Sequence, residues 1–183
     1  MYGLGSASED ALAPAGEFDA DVNPTPGRFL VGHDLLDGDD HVAFHEITRE
    51  LFEERGVYDM TFGYNLADLN LDTRHENAGY RYAEEADDPA VLRAEFTPTT
   101  PFCPQSHTLT VGSFRAWNGL RDRHDYDLVK VRVDDTHQRS DAINDELADL
   151  EAEFAATGEL PDADDEDVRG GAGGEPAVGG SPF

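Results

Sequence analysis

The sequence predicts a small α/β domain of the α+β kind: a short sheet with helices packed on one face, flanked by loose ends. Three observations carry this. Two apolar segments alternate with period two, three others repeat at helical spacing, and glycine, proline and acidic runs crowd into the termini.

Taken in order, residues 1–38 hold no sustained period and contain Pro14, Pro24 and Pro26, so they are expected to be mostly disordered, with a short ordered piece at Arg28–Val31. Asp39 or Asp40 can cap a first helix running to Arg55, with Phe44, Ile47 and Leu51 buried and Gly56 at its stop. Leu66, Leu69 and Leu71 mark a short extended or turn segment. Asn77–Gly79 and Asp87–Pro89 read as breakers. Val91 to Thr97 is a strand, with Leu92, Ala94 and Phe96 on one side. Pro98, Pro101 and Pro104 punctuate a loop, and Pro104 suits the first turn of a second helix reaching Leu120. In that helix Leu109, Ala116, Trp117 and Leu120 face the core. Leu128 to Val133 is a second strand, with Val129, Val131 and Val133 on one face. A third helix follows Ser140, where Ile143, Leu147, Leu150 and Phe154 keep one narrow seam. The domain therefore spans 39–157. Residues 158–183 form an acidic, glycine-rich tail that buries too little to offset its ordering entropy.

Charge narrows the function classes. The 183 residues carry 13 cations and 40 anions, a net of −27, and Lys130 is the one lysine. The net charge is −6 over 1–38, −15 over 39–157 and −6 over 158–183, so it is no tail feature. A body this acidic repels phosphate backbones, which argues against nucleic acid as a partner. No apolar run of membrane-spanning length and no secretory pattern occurs, so a cytoplasmic protein without a membrane partner is expected. The distribution points to halophilic adaptation, because multimolar salt shortens the Debye length to about 3 Å or less and screens like-charge repulsion. Circular dichroism followed from about 3 M salt down to dilute buffer is expected to show cooperative loss of structure. A curve that stays flat across that range would remove the halophilic reading.

One cysteine, Cys103, excludes an intrachain disulfide. If Pro104 begins the helix, Cys103 falls at or next to its N-cap, where free N–H groups and the helix dipole favour thiolate over thiol. Thr97, Thr99 and Thr100 can donate hydrogen bonds to it. The plainer alternative is a small buried hydrophobe. His107, four residues on, can share a helix face with Cys103 and pair with it as a metal ligand, or it can simply face water. His137 can approach the same end of the sheet or cap the third helix. His41 and His45 have i, i+4 spacing with Glu46 adjacent, a pattern that can hold a divalent metal, although a solvated helix face accounts for it more simply.

The run Glu95-Phe96-Thr97-Pro98-Thr99-Thr100-Pro101-Phe102-Cys103-Pro104 resembles the strand–loop signature of a family of iron–sulfur cluster assembly proteins, which includes SufT-type proteins and the eukaryotic cytosolic targeting factors. Thr136-His137, followed by Ala142-Ile143-Asn144 and Leu147-Ala148-Asp149, is similar to the stretch after that family's last strand. Asn65-Leu66-Ala67-Asp68-Leu69-Asn70-Leu71 resembles its short motif after the first helix. Asp59-Met60-Thr61 stands where the family commonly has Asp-Pro-Glu and keeps only the aspartate. The resemblance covers about residues 41–156. It implies a non-enzymatic accessory factor of iron–sulfur maturation. Its reactive, cluster-binding cysteine would be Cys103, with the three threonines and Asp59 around it. The cofactor is transient iron or a cluster. Partners are assembly or client proteins, or a second copy in a homodimer, since a cluster usually needs about four ligands. The alternatives are a small thiol- or metal-dependent enzyme using Cys103 with a histidine, and a scaffold that has lost the chemistry.

Overall fold

The computed structural model describes Phe18 and residues 22–60 and 63–160. The disorder expected for the remainder of the two termini, and Thr61 of the Asp59-Met60-Thr61 run, lie outside the described residues.

Among the described residues the architecture is α+β. A four-stranded mixed sheet runs in the order β1-β4-β5-β6, formed by β1 (Asp34–Leu35), β4 (Gly79–Glu84), β5 (Val91–Thr97) and β6 (Leu128–Val133). A small hairpin of β2 (Tyr58–Asp59) and β3 (Tyr64–Asn65) stands apart. Three helices, α1 (Gly38–Arg55), α2 (Ser106–Gly119) and α3 (Ser140–Thr157), accompany the sheet. None of them is long and apolar enough to cross a membrane.

Alternation explains β5 and β6, which have the bounds that their period predicts. Leu92, Ala94 and Phe96 meet Val129, Val131 and Val133 on one face, all buried. Ile143, Leu147, Leu150 and Phe154 of α3 and Leu109, Ala116 and Trp117 of α2 pack against this apolar surface. The helix α2 carries the chain across from β5 to β6, which makes that pair parallel. Gly56 ends α1 in the left-handed conformation, and its N–H bonds Phe52 O, the stop expected there. The Leu66–Leu71 segment is a 3-10 helix, with the Asn65 side chain accepting from Ala67 N at its start.

Three expectations are corrected. The strand β4 occupies the stretch between the two breakers, where none was expected. Its alternation is real: Tyr80 and Tyr82 enter the core with ring centroids 6.3 Å apart, and Arg81 faces the other way. Both faces of β4 are covered, so polarity does not alternate visibly with burial. Second, the described part of the N-terminal extension is an ordered strap instead of a loose end. Val22, Leu30 and Leu36 are buried, and the chain bonds Asn77, Arg81, Arg93 and Glu95 on the outer side of the sheet. The helices thus cover one face and the strap lies across the other. Third, Pro104 is not the first helical residue, since Gln105 is the N-cap and α2 begins at Ser106.

Candidate functional site

The later helix start changes the surroundings of Cys103. The residue sits in a turn before α2, half-buried, with its N–H bonding Thr100 O at 3.3 Å and its carbonyl accepting from Ser106 N at 3.4 Å. It is therefore neither at nor next to the N-cap but two residues before it, and the dipole argument made for that position does not apply. Gln105 takes that place without a side-chain cap, and its Oε1 instead accepts from Met60 N, 2.9 Å away at the start of the β2–β3 turn. On the other side His137 Nε2 donates to Cys103 O at 2.9 Å, and Gln138 N donates to Pro101 O at 2.8 Å.

Three separate segments thus meet at the cysteine loop: the turn after Asp59, residues 97–105 and residues 137–138. Asp59 is buried beside Tyr64, its partner in the hairpin register. Thr97 is buried at the end of β5, opposite Gly79. Thr99 is half-buried and Thr100 exposed. Thr100 Oγ1 accepts from Phe102 N at 3.3 Å, so it serves the turn. The expected threonine bonds to the Cys103 sulfur are not formed. Beside the cysteine, Phe102 is 69 % exposed, and Met60, on the tethered turn, is 81 % exposed. Val31 of the N-terminal strap is the third large apolar side chain that is exposed among the described residues.

The histidines separate by their hydrogen bonds. His137 Nδ1 accepts from Arg139 N at 2.9 Å, which leaves Nε2 as the donor to Cys103 O. Both nitrogens are engaged, so His137 is a brace for the loop and not a metal ligand. His107 lies in the first turn of α2 and reaches Glu146 of α3 at 3.2 Å. With Cys103 outside the helix, the expected i, i+4 pairing of Cys103 and His107 is lost.

His41 and His45 do not form the solvated face expected of them. Both are buried, with rings stacked at 5.3 Å. His45 donates from Nε2 to Ala67 O at 2.7 Å and accepts at Nδ1 from the Tyr82 hydroxyl at 2.6 Å. Burial pushes its pKa down to about 4, against the opposing Ala67 bond. His41 falls further, to about 2, through burial first and then the neighbouring His45 and Arg81. Both are neutral core imidazoles. Sequence could have suggested this only from Phe44 and Thr48, which extend the buried stripe to their side of α1. A cleft of about 670 Å³ lies along this flank, touching His41, His45, Asp68 and Asn70, none of them in the cysteine loop. Among the described residues no group of three or more histidine, cysteine, aspartate or glutamate side chains could hold a metal ion. Cys103 is the one thiol in the chain.

Residues 10–161 match the family described as a domain of unknown function, DUF7998, and the chain belongs to that family. No curated protein and no solved structure matches it.

Proposed function

We propose that this DUF7998 protein is a non-enzymatic accessory factor in iron–sulfur cluster assembly or delivery, working through Cys103 and protein partners. The observation that supports the reading best is the convergence at the cysteine loop. The turn after Asp59, the threonine–proline loop with Cys103, and Thr136–His137 are distant in sequence; the last two were singled out by resemblance, and Asp59 as the one residue kept of the family's Asp-Pro-Glu. Hydrogen bonds from Met60 N to Gln105 and from His137 to Cys103 O tie them together around one half-buried thiol. The fixed loop holds the sulfur in place, and Phe102 and Met60 supply apolar contact for a partner.

Iron or a cluster is cargo in this scheme. With His137 bonded at both nitrogens and His107 held by Glu146, each chain offers one thiolate. A cluster usually needs about four ligands, so the others come from a second copy, a partner's cysteines or a small thiol.

Anaerobic reconstitution with iron and sulfide in high salt tests this. Wild-type protein is expected to gain visible absorbance that Cys103→Ser loses, with an unchanged circular dichroism spectrum. Uptake of metal without sulfide would instead favour a metal-dependent enzyme. No uptake of either, with partner binding retained by Cys103→Ser, would leave a scaffold.

A further inference from the structure

We propose that the cleft beside α1 binds a linear aliphatic polyamine, with one ammonium group held at Asp68 and His41 and the next along the glutamates of α1. The inference is independent of the cysteine loop, which this cleft does not touch. At about 670 Å³ the cleft has the size of a small-molecule site. Its lining runs along α1 from His41 to Glu54. At about 1.5 Å per helical residue, that is a length of roughly 20 Å. A ligand that fills it is therefore long and narrow.

Buried polar groups form one part of the wall. Asn70 spends its amide on Tyr80 and Asn23, and His45 spends both ring nitrogens on Tyr82 and Ala67 O. His41, one turn before His45, does not. It is 3 % exposed, and its Nδ1 is buried and makes no hydrogen bond. Asp68 is 7 % exposed and follows Ala67, so the His45 bond ties its segment to the imidazole pair. Asp68 Oδ1 lies 2.9 Å from Arg49 Nε, an ion pair that is not aligned as a hydrogen bond. Burial raises the Asp68 pKa against the opposing Arg49 charge, so the carboxylate is under-compensated. An ammonium group donates up to three hydrogen bonds and accepts none. It suits a carboxylate and an unspent imidazole nitrogen together, and the two imidazoles, being neutral, add no positive charge to oppose it.

Along the rest of α1 the cleft meets Glu46, Glu50, Glu53 and Glu54. With Asp68 these carboxylates outnumber the two guanidinium groups on the wall, and both of those are already engaged. Arg49 pairs with Asp68, and Arg123 with Glu54 at 2.7 Å and Glu50 at 3.5 Å. An anionic ligand would have to break these pairs, whereas a second ammonium group meets the excess of carboxylates. Val42 and Leu71 add apolar wall for the methylene spacers. A metal ion fits less well, because among the described residues no three histidine, cysteine, aspartate or glutamate side chains are grouped to hold one.

NMR titration of the full chain with spermidine, at the lowest salt that leaves its circular dichroism unchanged, tests the site. Saturable shifts are expected at His41, Asp68, Val42 and Leu71, with the His41 Nδ1 resonance moving as a nitrogen that gains a donor. Affinity is expected to be about tenfold or more above that of 1-aminobutane, which has one ammonium group, and glutarate is expected not to bind. Asp68→Asn and His41→Phe should each weaken spermidine binding by about tenfold or more, the loss of a hydrogen bond to a charged group. Shifts spread evenly over the acidic surface, an affinity no better than that of 1-aminobutane, binding of glutarate, or unchanged affinity in either variant would overturn the proposal. Should the variants not fold, the wild type decides: nuclear Overhauser effects between spermidine methylenes and the side chains of Val42 and Leu71 are expected, and their absence at saturation would equally overturn it.

Discussion

In multimolar salt the protein is expected to lose several kcal/mol of stability as pH falls from 6.5 toward 4. The cause is the buried histidine pair. An unfolded chain protonates His45 near 6.5, whereas the folded chain resists until about 4. Over that interval the unfolded state binds more protons, so stability falls with pH. At about 1.4 kcal/mol per pKa unit, His45 alone accounts for roughly 3 kcal/mol. His41 acts in the same direction, because its folded value lies lower still. Glu95 and Asp68, both raised by burial, work the opposite way, as does relief of self-repulsion when carboxylates become neutral. High salt screens the last of these and leaves the short-range imidazole effect in view. His41→Phe keeps an aromatic ring against His45 and Tyr82 and removes one titrating group. His45→Gln removes the other. Chemical denaturation at stepped pH should show a shallower acid limb in each variant. An acid limb identical to wild type in both would mean that the imidazoles do not drive the transition.

Replacing Asn70 by alanine is expected to cost about 3–5 kcal/mol, since each buried backbone group left unpaired costs roughly 1–3 kcal/mol. Asn70 is 1 % exposed and serves β4 as a stand-in for a neighbouring strand. Its Oδ1 accepts from Tyr80 N at 2.8 Å, and its Nδ2 donates to Tyr80 O at 2.7 Å and to Asn23 Oδ1 at 2.6 Å. The amide thereby joins the 3-10 helix, the strap and the start of β4. Gly79 makes the close approach possible. Its φ of +118° disfavours any side chain, and a Cβ there would overlap Asn70 Oδ1. Gly79→Ala is therefore destabilising on both counts. Alanine at 70 vacates the space that the new Cβ needs, so the double variant is expected to cost less than the two single changes together. Urea denaturation in high salt measures all three. Additive losses, or a loss below about 1 kcal/mol for Asn70→Ala, less than one unpaired group should cost, would show that the clamp matters little.

The parts of the fold that were legible in the sequence are those governed by neighbours a few residues away. Val129, Val131 and Val133 announce a strand, and Ile143, Leu147, Leu150 and Phe154 a helix, because their periods match the geometry of the elements they form. Gly56 stops α1 for the same local reason. β4 was hidden because its cover comes from elsewhere: Tyr80 and Tyr82 meet helices on one side, and Arg81 meets Pro24 O and Asp37 on the other. A strand buried on both faces shows no polar alternation, and Asn77–Gly79 disguised its start.

At the site the division is similar. Sequence by itself determined that one thiol exists, that threonines and prolines precede it, and that the chain carries a net charge of −27. Tertiary structure decided what those residues touch. Cys103 lies outside α2, in a loop that Gln105 joins to Met60, 45 residues away. His137 is a brace because the loop carbonyl of Cys103, 34 residues away, takes its one ring proton. The strap is ordered because Glu95 gathers amides 66 and 68 residues distant. Each of these partners is chosen by the closure of the chain around its core, and no local period encodes that choice.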